Sequence, residues 1–169
     1  MQDQSDRQPS PLLQSDPHEG CILFSVAYLC HCFGHHDVTP EQVQAFREQT
    51  HKQEAMFPQL KCGLQMKRHW DHYEESKEEW QRYWLGPLTR SWVEQQFTEG
   101  YIGLVIVERT AGRAHALVAL ESRGEEGIYV MDPLYGHRVD TWEWFLAVGP
   151  GYHGCHHIDG WYKQKGRAT

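Results

Sequence analysis

Three side chains of the types that act together in nucleophilic catalysis occur along the chain in the order Cys21, His115 and Asp132. Cys21 directly follows Gly20 and opens an apolar segment, where the N-terminus of a helix would favour the nucleophilic thiolate. His115 lies near the start of a predicted strand, and Asp132 closes the next strand. Because consecutive strands commonly pair, we expect the Asp132 carboxylate to lie beside the His115 imidazole. The imidazole would then act as the base.

Each of these residues also has an ordinary structural interpretation. Free cysteines are usually buried, a single histidine at the start of a strand is commonly structural or solvated, and an aspartate before proline often begins a turn. The interpretation as a site therefore depends on their order and spacing. Gln14 lies shortly before Cys21, and its side-chain amide could donate a hydrogen bond to an oxyanion.

The elements that would position these residues are predicted from hydrophobic spacing and from helix signals. Apolar residues at helical intervals predict a first helix over residues 21–32, bounded by Gly20 and Gly34. A second helix is predicted to start at Thr39 and Pro40, where Gln42 completes a capping box, and to run to about residue 50.

The middle of the chain is predicted to be helical over residues 64–97, with a break at Gly86-Pro87. Its aromatic stripe has members three or four residues apart: Trp70, Tyr73, Lys77, Trp80 and Trp84. We expect this stripe to pack on the core, although it could instead form an exposed surface for a partner. Thr89 would then start a further helix that ends at Gly100.

After Gly100 the pattern changes to short apolar and β-branched segments over residues 101–108, 114–121 and 127–132, which predict strands. Asp140 is predicted to cap a short helix over residues 141–148, and a last strand is expected around Ile158 and Trp161. Helices followed by an antiparallel sheet predict an α+β fold, with Cys21 on the first helix and with His115 and Asp132 on the sheet.

Composition limits the classes of function. The chain has 169 residues, which favours one domain over residues 13–169 after a flexible, polar lead-in at 1–12. A formal net charge of −7 argues against a nucleic-acid partner. Neither a long apolar span nor a signal-peptide pattern is visible. The odd count of five cysteines fits free thiols in a reducing compartment. We therefore expect a cytoplasmic protein, or an effector delivered without its own signal peptide.

These motifs together resemble the papain-like bacterial peptidases, and more specifically the bacteriocin-processing (double-glycine) peptidases and related papain-like effector proteases. The resemblance lies in Leu13-Gln14, in Gly20-Cys21-Ile22-Leu23-Phe24, in Ala114-His115-Ala116 and in Asp132-Pro133-Leu134-Tyr135-Gly136. It covers about residues 13–148, and the aromatic middle is unmatched.

The resemblance implies a cysteine protease that cleaves a protein or peptide through a thioester. Cys21 would attack the carbonyl, His115 would transfer the proton, and Asp132 would orient the imidazole. The backbone N–H of Cys21 and the Gln14 amide would hold the oxyanion, with Gln4 and Gln8 as alternative donors. A role as an effector or toxin, with an inhibitor or immunity protein as partner, would fit. The same machinery could serve a deamidase or transglutaminase, and an inert binding module on this scaffold is a further alternative.

Histidine-rich segments raise the question of a metal site. The candidates are Cys30, His31, Cys32, His35 and His36, and in the tail His153, Cys155 and His157. Residues two apart on a helix point to different sides, and the Cys-x2-Cys spacing of structural zinc is absent. We therefore predict neither a metal nor a cofactor, although Cys32 and His36 could supply two of the four ligands that zinc requires.

Overall fold

The computed structural model describes residues 8–16, 20–50, 64–68, 73–76, 79–82, 89–110, 113–148 and 160–164. Its helices are α1 (Cys21–Cys32), α2 (Pro40–Thr50), α3 (Arg90–Thr98) and α4 (Trp142–Val148). Its strands are β1 (Leu64–Arg68), β2 (Tyr73–Ser76), β3 (Glu79–Arg82), β4 (Ile102–Thr110), β5 (Arg113–Ser122), β6 (Ile128–Asp132), β7 (Gly136–Asp140) and β8 (Gly160–Gln164). A short 3-10 helix, Gly124–Glu126, connects β5 to β6.

The main sheet has six strands in the order β1-β8-β4-β5-β6-β7, and each neighbouring pair is antiparallel. The remaining strands, β2 and β3, pair only with each other within the described part of the chain. The α+β fold predicted from the sequence is confirmed.

The two faces of the sheet carry separate cores, as the alternation of side chains along β5 requires. Ala116, Val118 and Leu120 point to the side where α1 packs, together with Val26 and Leu29 of that helix. The intervening residues of β5 join a second core on the opposite face, with members from α3, α4 and β8: Val93, Leu117, Ala119, Phe145 and Trp161. The helix α1 is therefore fixed on the strand that bears His115.

Local sequence signals predicted three of the helices well. The first two begin and end where the sequence indicated, and at α2 the Gln42 N–H donates to Thr39 Oγ1 while the Thr39 N–H donates to Gln42 Oε1. Helix α3 begins after Thr89, whose hydroxyl accepts from the Trp92 N–H. The capping bonds at Thr39 and Thr89 satisfy N–H groups that a helix start otherwise leaves unpaired.

The helical prediction for residues 64–97 is wrong where the described residues form β1, β2 and β3, whereas α3 is helical as expected. Tyr73 pairs with Arg82 and Trp80 pairs with Glu75 in the β2–β3 ladder. The other members of the aromatic stripe, Trp70, Lys77 and Trp84, lie outside the described residues. The spacing of three and four residues is a local signal. It carries no information about the pairing of β1 with β8, which lies almost a hundred positions later in the chain.

The end of the sheet differs from the prediction at Asp140. This residue is the last of β7, a strand that was not predicted from the sequence. Thr141 caps α4 instead, by accepting a hydrogen bond from the Trp144 N–H. The last predicted strand forms as β8 and includes Trp161, whereas Ile158 lies outside the described residues.

The predicted flexible lead-in contacts the folded core through its described residues. Leu12 is partly buried against the core around α1, and the Pro9 carbonyl accepts from the Tyr28 hydroxyl at 3.3 Å. Just after the lead-in, the Gln14 N–H donates to the Pro133 carbonyl at 2.8 Å, which joins this part of the chain to the turn after β6. None of the helices in the described residues has the length and apolar character needed to cross a bilayer.

Candidate active site

The site begins with Cys21, the first residue of α1. Gly20 before it adopts a left-handed conformation with φ 97°, which L side chains rarely adopt, so the chain can turn sharply into the helix. No side chain caps this helix start and no acidic residue stands in its first turn. The partial positive charge of the helix N-terminus therefore acts on the first helical residue, Cys21.

The tertiary fold brings Cys21, His115 and Asp132 together. The His115 Nε2 lies 2.7 Å from Asp132 Oδ1, and the imidazole interacts with the Cys21 thiol closely enough to lower the pKa of that thiol. Since Nε2 faces the carboxylate, Nδ1 is the ring nitrogen left for the sulfur. The Ala116 N–H adds a donor to Cys21 Sγ at 3.4 Å. Asp132 is fully buried and His115 nearly so, whereas Cys21 keeps partial exposure.

The charges of this series support one another. Burial would raise the pKa of the Cys21 thiol, but hydrogen bonds from His115 and the Ala116 N–H outweigh it and hold that pKa below its usual value. Burial would lower the pKa of His115, but the bonds with Asp132 and Cys21 raise it. A lowered thiol pKa beside a raised imidazole pKa favours a thiolate–imidazolium pair.

Asp132 is held as a carboxylate against the tendency of its burial. Burial would raise its pKa, whereas the hydrogen bonds from His115 and from the Leu134 N–H lower it, as does the charge of Arg138. The Leu134 N–H reaches Oδ1 at 2.8 Å. Arg138 Nη2 forms an ion pair with Oδ2 at 2.9 Å. Oδ1 therefore has hydrogen-bond partners, and Oδ2 has the ion pair with Arg138.

Arg138 is the site residue that the sequence analysis missed. In the β6–β7 hairpin Asp132 pairs with Gly136 and Val130 pairs with Arg138. Side chains two residues apart on a strand share a face, so Arg138 is a diagonal neighbour of Asp132. If β7 had been predicted, the turn after Asp132 and the two-residue alternation of side chains along a strand would have indicated that Arg138 lies near Asp132.

Gln14, the predicted oxyanion donor, lies next to the turn that follows Asp132. Its side-chain Nε2 donates to the Asp16 carbonyl at 2.6 Å, and its backbone is bonded to Pro133. The role of Gln14 stays a prediction, and Gln4 lies outside the described residues.

The other described cysteines have a different environment. Burial raises the pKa of Cys30 and of Cys32 to about 12 each. His31 Nε2 lies 2.7 Å from the Val38 carbonyl. Within the described ranges no three His, Cys, Asp or Glu side chains are grouped as a metal site would require, and the histidines of the tail lie outside those ranges.

Comparison with known proteins identifies the class of fold. No family model and no curated protein sequence matches this chain. Among solved structures, it is similar to a double-glycine motif protease from an AMS/PCAT transporter, determined in complex with the leader peptide, with a TM-score of 0.50. The match covers 94% of both chains at 18% sequence identity. The chain therefore has the papain-like α+β fold, and the structural resemblance to double-glycine peptidases predicted from the sequence is confirmed.

Proposed function

We propose that this protein is a papain-like cysteine protease that cleaves a peptide or protein, with Cys21 as nucleophile, His115 as general base and acid, and Asp132 as orienting acid. The observation that carries the proposal is the meeting of three side chains at the N-terminus of α1. The Cys21 sulfur accepts from the Ala116 N–H, next to His115, and the His115 imidazole is bonded to Asp132 and lowers the pKa of the thiol. Three groups from distant parts of the chain meet there in the order that nucleophilic catalysis needs.

In the first half of the reaction the Cys21 thiolate attacks the carbonyl carbon of the scissile peptide bond. Electrons move to the carbonyl oxygen, and the backbone N–H of Cys21 and the Gln14 amide would stabilise the resulting oxyanion. When the carbon–nitrogen bond breaks, the His115 imidazolium donates its proton to the departing amine. The acyl group stays on Cys21 as a thioester.

In the second half water attacks the thioester. Neutral His115 accepts a proton from the water, the carbon–sulfur bond breaks, and the acid product leaves. The Cys21 thiolate and the His115 imidazolium are then restored. Asp132 keeps the ring in the orientation that serves both halves, because its Oδ1 holds Nε2 throughout.

A peptide is the substrate class that we favour. The similar transporter protease was determined with a leader peptide bound, and a thioester mechanism suits hydrolysis of a peptide bond. Delivery as an effector or toxin, and recognition by an immunity protein, stay predictions from the sequence.

The test is incubation of the protein with a mixture of unstructured peptides, some of which carry a double-glycine segment, followed by mass spectrometry. We expect fragments from the wild type and none from Cys21→Ala. Cys32→Ala is the matched control, because Cys32 belongs to the same helix without contact to His115, and it should cleave like the wild type. Cleavage by Cys21→Ala would refute the proposal.

The same measurement separates the alternative chemistries. An intact peptide that gains about one dalton would indicate deamidation, and a covalent link between two peptides would indicate transglutamination, because both pass through the same type of thioester. If Cys21 reacts with electrophiles no faster than Cys30 and Cys32 do, the inert binding module becomes the better interpretation.

A further inference from the structure

Arg138 makes a set of contacts that reaches the triad from the side opposite His115. Its guanidinium Nη2 lies 2.9 Å from Asp132 Oδ2, and its Nε lies 2.8 Å from Asp140 Oδ1. The guanidinium also lies over the rings of Tyr135 at 5.1 Å and of Trp144 at 5.5 Å. The guanidinium thus contacts two carboxylates, of which that of Asp132 is fully buried, and two aromatic rings.

The need for such a cation follows from the burial of Asp132. Its side chain has no exposed surface, and an ionised carboxylate in that position is costly unless both oxygens have partners. His115 and the Leu134 N–H both engage Oδ1. The ion pair with Arg138 supplies a positive charge at Oδ2.

We propose that Arg138 is a positioning residue for the hydrolysis proposed above: it holds Asp132 and offsets its charge, so that His115 stays oriented toward Cys21 and the thiolate is not opposed by an unbalanced carboxylate. This inference rests on the proposed function only for its catalytic consequence. Its physical content, the ionisation of Cys21, can be measured without a substrate.

The groups that face this carboxylate come from several elements. His115 approaches it from β5, Arg138 from β7, and Cys21 stands beyond the imidazole on α1. Asp140 faces Arg138 from the end of β7. Without the guanidinium, the charge of Asp132 would oppose a thiolate, or Asp132 would take up a proton and bind the imidazolium less strongly. Each route raises the pH at which Cys21 ionises.

The experiment measures the rate at which iodoacetamide alkylates Cys21 between pH 4 and pH 9, followed by mass spectrometry of the Cys21 peptide. We expect Arg138→Met to raise the apparent pKa of the thiol by about one unit, which slows alkylation about tenfold at pH values below that pKa. Arg138→Gln, which keeps donors but no charge, should shift the profile in the same direction. Arg138→Lys should restore most of the wild-type profile.

Arg123→Met is the matched control. Arg123 also forms an ion pair, with Glu121 at 2.7 Å, and lies over an aromatic ring, that of Tyr129, but no contact connects it with the triad. Its profile should coincide with that of the wild type. A purely structural role for Arg138 would lower the melting temperature without moving the pH profile, so coincident profiles for Arg138→Met and Arg123→Met would overturn the inference.

The inference can still be tested if Arg138→Met does not fold. If Arg138→Met unfolds, the comparison of Arg138→Gln with Arg138→Lys decides, because only the first lacks the charge, and equal profiles would overturn the inference. A shifted profile in a protein that cleaves no peptide would leave the Arg138 inference standing and count against the protease. Uniformly slow alkylation of wild-type Cys21 would overturn both.

Discussion

At the scale of single residues, the environment of each cysteine decides its chemistry. Cys21, Cys30 and Cys32 all lie on α1, within three turns of one another. Of these three, only Cys21 stands at the helix N-terminus beside an imidazole. Burial alone would raise the pKa of its thiol, but the interactions with His115 and the Ala116 N–H lower it. Burial has the largest effect on the other two thiols and raises the pKa of each to about 12, although a hydrogen bond with Tyr28 acts against it at Cys32.

The first prediction follows from this contrast. At pH 7, iodoacetamide should label Cys21 at least tenfold faster than Cys30 or Cys32, because alkylation requires the thiolate. Peptide mapping after short exposure checks the ratio. His115→Ala should remove most of the preference for Cys21, since the imidazole is the main group that lowers the pKa of that thiol. Preferential labelling of Cys30 in the native protein would contradict the assigned site.

A second prediction concerns acid stability. The pKa of Asp132 lies below its ordinary value of 3.8 in the folded protein, where burial would raise it but the His115 and Leu134 hydrogen bonds lower it. A depressed pKa contributes stability that is fully present above the unfolded pKa and is lost as the pH falls through the folded pKa. The wild-type free energy of unfolding should therefore fall as the pH drops below about 4.

Urea unfolding of the wild type and of Asp132→Asn, measured from pH 6 to pH 3, checks this dependence. The Asn variant has no carboxylate to titrate at this position, so its curve should be flatter over the acid end of the range. Parallel curves for the two proteins would mean that Asp132 is not the source of the dependence.

At the scale of elements, α1 begins directly after a glycine in the left-handed conformation, and its first residue is the reactive one. Gly20 and Gly34 bracket the helix, and both have a positive φ, 97° and 92°. A Cβ at Gly20 would come within 3.4 Å of the Phe24 ring, whereas at Gly34 it would meet no atom within 4 Å. The two glycines therefore share the conformational requirement and differ in their distance from the sulfur.

The third prediction uses this pair. Gly20→Ala and Gly34→Ala should each lower the free energy of unfolding by about 1–2 kcal/mol, because a left-handed conformation is unfavourable for alanine. Only Gly20→Ala should also slow alkylation of Cys21, since it alters the backbone that presents the thiol to His115. Denaturant titration and the iodoacetamide rate give the two readouts. Equal alkylation rates would show that the entry into α1 does not govern the site.

At the scale of the whole molecule, the sheet joins distant parts of the chain. Strand β8 pairs with β1 on one side and with β4 on the other. Trp161 of β8 is fully buried and makes edge-to-face contacts with Trp92 and Phe97 of α3. Gly103 of β4 pairs directly with Trp161, and a Cβ at Gly103 would lie 2.9 Å from the indole ring.

The fourth prediction tests this close approach. Gly103→Ala should lower the free energy of unfolding by about 1–3 kcal/mol, because the added methyl group overpacks the core against the Trp161 ring. In a Trp161→Leu background the same substitution should cost less, since the smaller side chain leaves room. A double-mutant cycle by denaturant titration measures the difference. An unchanged cost in that background would mean that the ring is not what opposes the methyl group.

The local signals of the sequence were sufficient for much of the first and last thirds of the chain. Caps and glycines near Gly20, Thr39 and Thr89 fixed the helix starts, because capping bonds connect neighbours in the sequence. Short apolar segments predicted β4, β5 and β6. The order of Cys21, His115 and Asp132 was sufficient to nominate the candidate triad.

Other features required the tertiary structure, because they depend on contacts between residues far apart in sequence. Strands replaced the predicted aromatic helix because backbone pairing, as between β1 and β8, outweighs a local helical period. The ion pair of Arg138 with Asp132 required the register of β6 on β7. The residue types and their order thus came from the sequence by itself, whereas only the folded chain decided that the thiol, the imidazole and the carboxylate lie together.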